Sequence, residues 1–153
     1  MLIDSHQHFW HVSNEANYPW MNAAQQILYR DYDPRDPVPI LARHGIEGTI
    51  LVQASPTDSE TDELLILAEK TEFVKGVVAW CEFTDPASLA RIVELAKSPW
   101  VCGLRPMVQD IVDDDWLLRE DIHPVLQALI THGLTFDALI HPRHLRRLAR
   151  MLA

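Results

Sequence analysis

Gly48-Thr49-Ile50-Leu51-Val52-Gln53-Ala54 is a continuous apolar, β-branched run of strand length. It shows no alternation of apolar and polar residues, so both of its faces are expected to be buried, as in a parallel sheet covered by helices. Directly after it, Thr57 and Glu60 stand at capping-box spacing, and Leu64, Leu67, Ala68 and Thr71 line one face of the helix that follows. A buried strand leading into an amphipathic helix is a βα unit, and the rest of the chain repeats that order.

Upstream, Leu2–His8 reads as a short strand with polar residues at its C-terminal end. Residues 9–36 are irregular, and a short helix is expected over about 37–44, with Gly45 at its C′ position. Downstream, Gly76–Phe83 reads as a third strand. Asp85 caps the next helix, Pro86 opens it, and Leu89, Ile92, Val93 and Ala96 form its inner face. Trp100–Arg105 is a fourth strand, followed by an acidic loop over 106–120. A helix from about 122 turns Ile122, Val125, Leu126, Leu129 and Ile130 inward and stops at Gly133. Leu134–Ile140 reads as the fifth strand, and Pro142 opens a last helix with Leu145, Leu148, Ala149 and Leu152 on one face.

This order predicts an α/β fold in a single domain, residues 1–153, with a parallel sheet. Two architectures satisfy it: an open doubly wound sheet, or a (β/α)8 barrel of the TIM type, present as a partial barrel of about five β-α units. No Gly-x-Gly-x-x-Gly follows the first strand, which weakens a dinucleotide-binding fold. In both architectures chemistry sits at the C-terminal ends of strands. That rule selects His6, His8, Gln53, Glu82, Arg105 and His141.

Composition bounds the partners. The 153 residues carry 13 Lys+Arg against 22 Asp+Glu, a net charge of −9. That balance argues against nucleic acid and against an anionic membrane surface. No run of about 18 apolar residues is present. The two cysteines, Cys81 and Cys102, fall in or at the end of apolar strands and read as free thiols, so a reducing cytoplasm is expected. No Gly-x-Ser-x-Gly is present, which disfavours a serine hydrolase.

His6-Gln7-His8 is the sharpest chemical signal. Alternate residues of a strand point the same way, about 6–7 Å apart, so two imidazoles can converge on one divalent ion. Zinc needs three or four ligands, so others must come from other strand ends. Arg105, at the end of the fourth strand, can grip a carboxylate or polarise a carbonyl, or else form a structural ion pair. Gln53 can orient substrate hydroxyls or hydrogen-bond a neighbouring loop. Glu82 reads as a salt-bridge partner more than a catalyst. His141 can reach a site at the strand ends, whereas His144 reads as a helix residue. Trp10 and Trp20, in the first long loop, can wall a sugar-like substrate or pack the loop onto the sheet.

Five segments in order carry a more specific signal. They are Ile3-Asp4-Ser5-His6-Gln7-His8-Phe9-Trp10; Tyr18-Pro19-Trp20-Met21; Gly48 to Ala54; Gly103-Leu104-Arg105-Pro106-Met107-Val108-Gln109-Asp110; and Phe136-Asp137-Ala138-Leu139-Ile140-His141-Pro142-Arg143-His144-Leu145. Together they closely resemble the amidohydrolase-2 family, in its branch of sugar-acid lactonases. The resemblance implies a (β/α)8 barrel that hydrolyses a small lactone or related ester. It implies His6 and His8 as holders of a divalent metal, Zn or Mn, although metal dependence varies in this branch. His6, His8 and Arg105 then take catalytic roles, and Gln53, Arg105, Trp10 and His141 contact a small-molecule substrate. The family's later site residues, a His after the sixth strand and an Asp after the eighth, have no counterpart in this chain. Two readings follow: a metal- or base-activated hydrolase, or a non-catalytic truncated piece of one that self-associates. A homo-oligomer is expected, because five strands cannot close an eight-strand barrel.

Overall fold

The computed structural model describes residues 1–14, 17–22 and 24–153. Five strands, β1 (Ile3–Gln7), β2 (Gly48–Val52), β3 (Val74–Ala79), β4 (Val101–Leu104) and β5 (Thr135–Phe136), form one sheet in the order β1-β2-β3-β4-β5. Every neighbouring pair is parallel. The helices α1 (Val38–His44), α2 (Asp58–Lys70), α3 (Ser88–Leu95), α4 (His123–His132) and α5 (Leu145–Met151) follow the strands one by one. Sequential parallel pairing of five βα units is the order of a (β/α)8 barrel, here as a partial barrel.

The core lies between sheet and helices. Leu51, Val77, Ala79 and Leu104 from the strands pack with Leu64, Ala68, Ile92, Leu95, Val125 and Leu129 from the helices. Gly45 and Gly133 each adopt a left-handed φ, 65° and 68°, and donate back to the last carbonyls of α1 and α4. Only a residue without Cβ takes that conformation at little cost, which is why both helices stop there.

Several boundaries differ from the sequence expectations, for physical reasons. The apolar run of β3 leaves the ladder at Ala79 rather than Phe83, because the buried Thr61 hydroxyl bonds both the N–H and the carbonyl of Trp80. α3 begins at Ser88, not at Pro86, since the Asp85 carboxylate instead accepts from Ala87 N in a preceding turn. Its inner face is therefore Ser88, Ile92 and Leu95, and Leu89 and Val93 are exposed. In α4, Ile130 is likewise exposed rather than inward. β5 is two residues long instead of seven, because its partner β4 ends before Pro106 and offers no further ladder. Pro142–His144 forms a tight 3-10 turn that shifts the phase of α5. Leu148 and Met151 then pack on the core, while Leu145 and Leu152 are exposed.

Candidate active site

The C-terminal ends of the strands converge on an open cavity of about 590 Å³. Its polar wall is His6, His8, Arg105, Gln109 and Asp110, and its apolar wall includes Trp10, Trp20, Met107 and Leu139. The strand ends place these groups. The β1–β2 register slips between Asp4 and Gln7, a bulge that re-aims the side chains beside it. The Asp4 carboxylate accepts from His6 N at 3.2 Å within that bulge.

The structure brings His6, His8 and Arg105 together. The Nε2 atoms of the two histidines lie 2.9 Å apart. His8 Nδ1 lies 2.7 Å from the Val52 carbonyl, which can only accept, so Nδ1 carries the proton and Nε2 presents its lone pair to the cavity. Burial, helped by the Arg105 charge, lowers the His8 imidazole to about 4, against the opposing Val52 bond. Burial and then Arg105 also lower His6, with Asp137 and Asp4 opposing. Both rings are thus held toward the neutral form that binds metal or accepts a proton.

Arg105 is 5% exposed. Its Nη2 donates to the Gln53 carbonyl, and its Nη1 lies 3.3 Å from His6 Nε2. Among the described residues its Nε has no hydrogen-bond partner. Gln53 does not meet the cavity. It is fully buried, and its amide donates to the Arg105 carbonyl at 2.7 Å, so it fixes Arg105 rather than facing substrate. His141 is exposed and does not line the cavity. His144 is buried, with Nε2 3.2 Å from Asp114, and belongs to the turn that ties α5 to the acidic loop. Glu82 is exposed and accepts from the Thr84 N–H and hydroxyl.

Trp10 and Trp20 wall the cavity, and their indole N–H groups are anchored. Trp10 Nε1 donates to the Leu28 and Arg30 carbonyls, at 3.2 and 3.0 Å, and Trp20 Nε1 to the Ala54 carbonyl at 3.2 Å. Beneath them, the Glu60 carboxylate accepts from Ala54 N, Ser55 N and the Tyr18 hydroxyl. The capping box is therefore half made. Thr57 Oγ1 accepts from Glu60 N, but the carboxylate turns to the β2 loop instead of back to Thr57. Asp110 lines the cavity and the Asp137 charge acts on His6 and Arg105, and the sequence expectation for strand ends selects neither. Asp137 follows the true end of β5 directly, so the strand-end rule selects it once that strand is shortened.

The two imidazoles fit two positions of a metal site. At metal–nitrogen distances of about 2.0–2.1 Å, the 2.9 Å separation of the donor nitrogens is a little closer than the roughly 3.3 Å of two tetrahedral ligands, so a small spreading of the rings would seat an ion. A third ligand is missing: among the described residues no group of three His, Cys, Asp or Glu side chains is close enough to hold an ion. No helix is long and apolar enough to cross a membrane among those residues.

The fold and its polar strand ends agree with one family. Residues 3–153 match the family model described as Amidohydrolase, and the chain belongs to that family. It is 43% identical over 143 residues to an L-fucono-1,5-lactonase of Burkholderia ambifaria, covering 94% of this chain and 49% of that protein. It is 36% identical over 146 residues to an L-fucono-1,5-lactonase of Burkholderia multivorans, covering 95% of this chain and 49% of that protein. A crystal structure of an amidohydrolase from Burkholderia multivorans with bound zinc superposes with a TM-score of 0.89 at 31% identity, covering 99% of this chain and 54% of that one. The chain therefore spans about half the length of the curated relatives it matches.

Proposed function

We propose that this chain supplies the N-terminal part of a sugar-acid lactonase site, acting as one domain over residues 1–153. The observation that carries the reading is the His6–His8–Arg105 cluster in a cavity walled by Trp10 and Trp20, supported by relatives named L-fucono-1,5-lactonase. The Arg105 guanidinium aims donors at a lactone carbonyl and stabilises the negative charge that develops on its oxygen. The His8 lone pair takes a proton from the attacking water. Water oxygen bonds to the carbonyl carbon, the ring C–O bond breaks, and the ring oxygen becomes a hydroxyl of the open acid. A divalent ion held by His6 and His8, Zn or Mn, would take the His8 lone pair in place of that proton transfer, and would supply Lewis-acid polarisation of the carbonyl and a more acidic bound water when present. Gln53 positions Arg105, and His141 would meet substrate only through movement of the segment after β5. Two free thiols support a reducing, cytoplasmic setting, and the unpaired outer edges of β1 and β5 support association with a second copy.

The test is acid release from L-fucono-1,5-lactone by this chain, with and without Zn²⁺ or Mn²⁺. Hydrolysis above the spontaneous rate, lost in His8→Ala and reduced by about 2–3 kcal/mol in barrier in Arg105→Ala, is the expected result, the scale of a charge-assisted contact. The product and lactam affinities serve as a second readout. A chain that neither hydrolyses the lactone nor binds its lactam mimic does not carry this site.

A further inference from the structure

A second chamber, about 340 Å³, adjoins the first and shares Trp20, Met107 and Asp110 with it. We propose that it is a subsite for a second sugar ring, so that the ligand of this chain is a lactone bearing a glycosyl group rather than a single-ring lactone. This rests on the lactone reading of the first cavity.

The chamber is built by a departure from regular structure. Val77 to Phe83 is apolar enough to continue β3, yet the ladder stops at Ala79. The fully buried Thr61 hydroxyl on α2 bonds Trp80 N at 3.1 Å and Trp80 O at 3.2 Å, and Ser88 Oγ of α3 donates to the Glu82 carbonyl. These bonds satisfy backbone groups that the sheet has released, and they peel residues 80–83 away from the strand to form a wall. A local rule broken with full compensation marks a place where something other than packing is served.

The lining states the ligand chemistry. Trp20, Trp80, Trp116 and Pro106 present apolar surface, while Glu82 and Asp110 add carboxylate acceptors. No lysine, arginine or histidine lines it among the described residues. Flat apolar walls suit the C–H face of a pyranose, and carboxylates accept from hydroxyls. An anionic ligand would find no partner there. The contrast with the first cavity, where Arg105 and two imidazoles await a carbonyl, orders one extended ligand across the shared Trp20 and Asp110. Either volume falls within the range of about 300–1,000 Å³ of small-molecule sites, so the two together exceed what one ring needs.

The chain has five tryptophans, and fluorine NMR of the 5-fluorotryptophan protein reads each separately. Two probes are titrated: L-fucono-1,5-lactam, which resists hydrolysis, and the same lactam glucosylated at each ring hydroxyl in turn. The single-ring lactam is expected to shift Trp10 and Trp20 and to leave Trp80 and Trp116 unmoved. One glucosylated form is expected to bind about five- to tenfold tighter, the scale of one aromatic contact, and to shift Trp80 and Trp116 as well. Trp80→Leu should remove that gain while single-ring affinity stays, and Trp80→Phe should restore part of it. If no glucosylated form gains affinity over the single ring in the unmutated chain, the subsite is overturned and the lactone reading stands. If neither probe binds, both fall.

Discussion

Gln53 and Arg105 clasp each other across the end of β3. Gln53 Nε2 donates to the Arg105 carbonyl at 2.7 Å, and Arg105 Nη2 donates to the Gln53 carbonyl. The backbone N–H groups of the same two residues bond Val78 O and Ala79 O of the strand between them, each at 2.9 Å. Removing the amide leaves a buried carbonyl without its donor. Gln53→Leu should therefore destabilise the fold by about 1–3 kcal/mol in urea unfolding, the cost of a buried unsatisfied group. It should also weaken lactam binding, because Arg105 loses its brace. A variant as stable as the parent would show that Gln53 does not hold Arg105 in place.

The His8 ring gives a second expectation. With Nδ1–H committed to the Val52 carbonyl, the Nδ1-protonated tautomer should dominate at neutral pH. Long-range ¹H–¹⁵N spectra of the imidazoles report this directly. Zn²⁺ should shift Nε2 of both His6 and His8 and leave the His8 Nδ1 signal protonated, and either His→Ala change should abolish the response. Since two imidazoles, and no third His, Cys, Asp or Glu among the described residues, converge, affinity should fall well short of a three- or four-ligand site. A proton on His8 Nε2 in the free chain would remove the ligand geometry.

The βα order and the polar strand ends were legible because a parallel strand buried on both faces and an amphipathic helix leave different periodicities. The run from Gly48 to Ala54 and the Gly45 and Gly133 stops are examples. What sequence hid was decided by tertiary hydrogen bonds. Thr61, a threonine inside a helix pattern, ends β3, and Pro106 at β4 shortens β5 on the neighbouring strand. For Gln53 the sequence left two readings, a substrate contact or a hydrogen bond to a neighbouring segment. Its place at a strand end was visible, but the Arg105 carbonyl that engages its amide lies 52 residues away.

Glu60 links the aromatic wall to pH. Its carboxyl is 1% exposed, and burial raises it from 4.5 to about 7, against the opposing bonds from Ser55 N, Tyr18 and Ala54 N. A carboxyl whose folded value lies above its unfolded value binds more protons when folded, so stability falls as pH rises between the two. The contribution of Glu60 is thus most favourable below about pH 4.5, declines up to about pH 7, and is level beyond. The span is about 3 kcal/mol, from 1.36 kcal/mol per unit. Comparing Glu60→Gln with the parent isolates this slope from that of His8, which runs the opposite way over pH 4–6.5. The unfolding free-energy difference, parent minus variant, should fall across pH 4.5–7. A flat difference would mean that the carboxyl ionises as freely inside as outside.

The sheet itself predicts association. Among the described residues β1 pairs with β2 alone and β5 with β4 alone, so each end of the sheet carries backbone groups without ladder partners there. A second copy laid against these edges would pair the outward backbone groups. Such an interface should bury more than about 1,000 Å² and be apolar at its centre, as a stable association requires. Light scattering after size exclusion should give the mass of at least two chains, decreasing on dilution. Hydrogen exchange should show the outward amides of β1 and β5 protected at high concentration and open at low, while those of β3 stay protected throughout. A monomer at every concentration, with β1 and β5 equally open, would mean that these edges are managed within one chain.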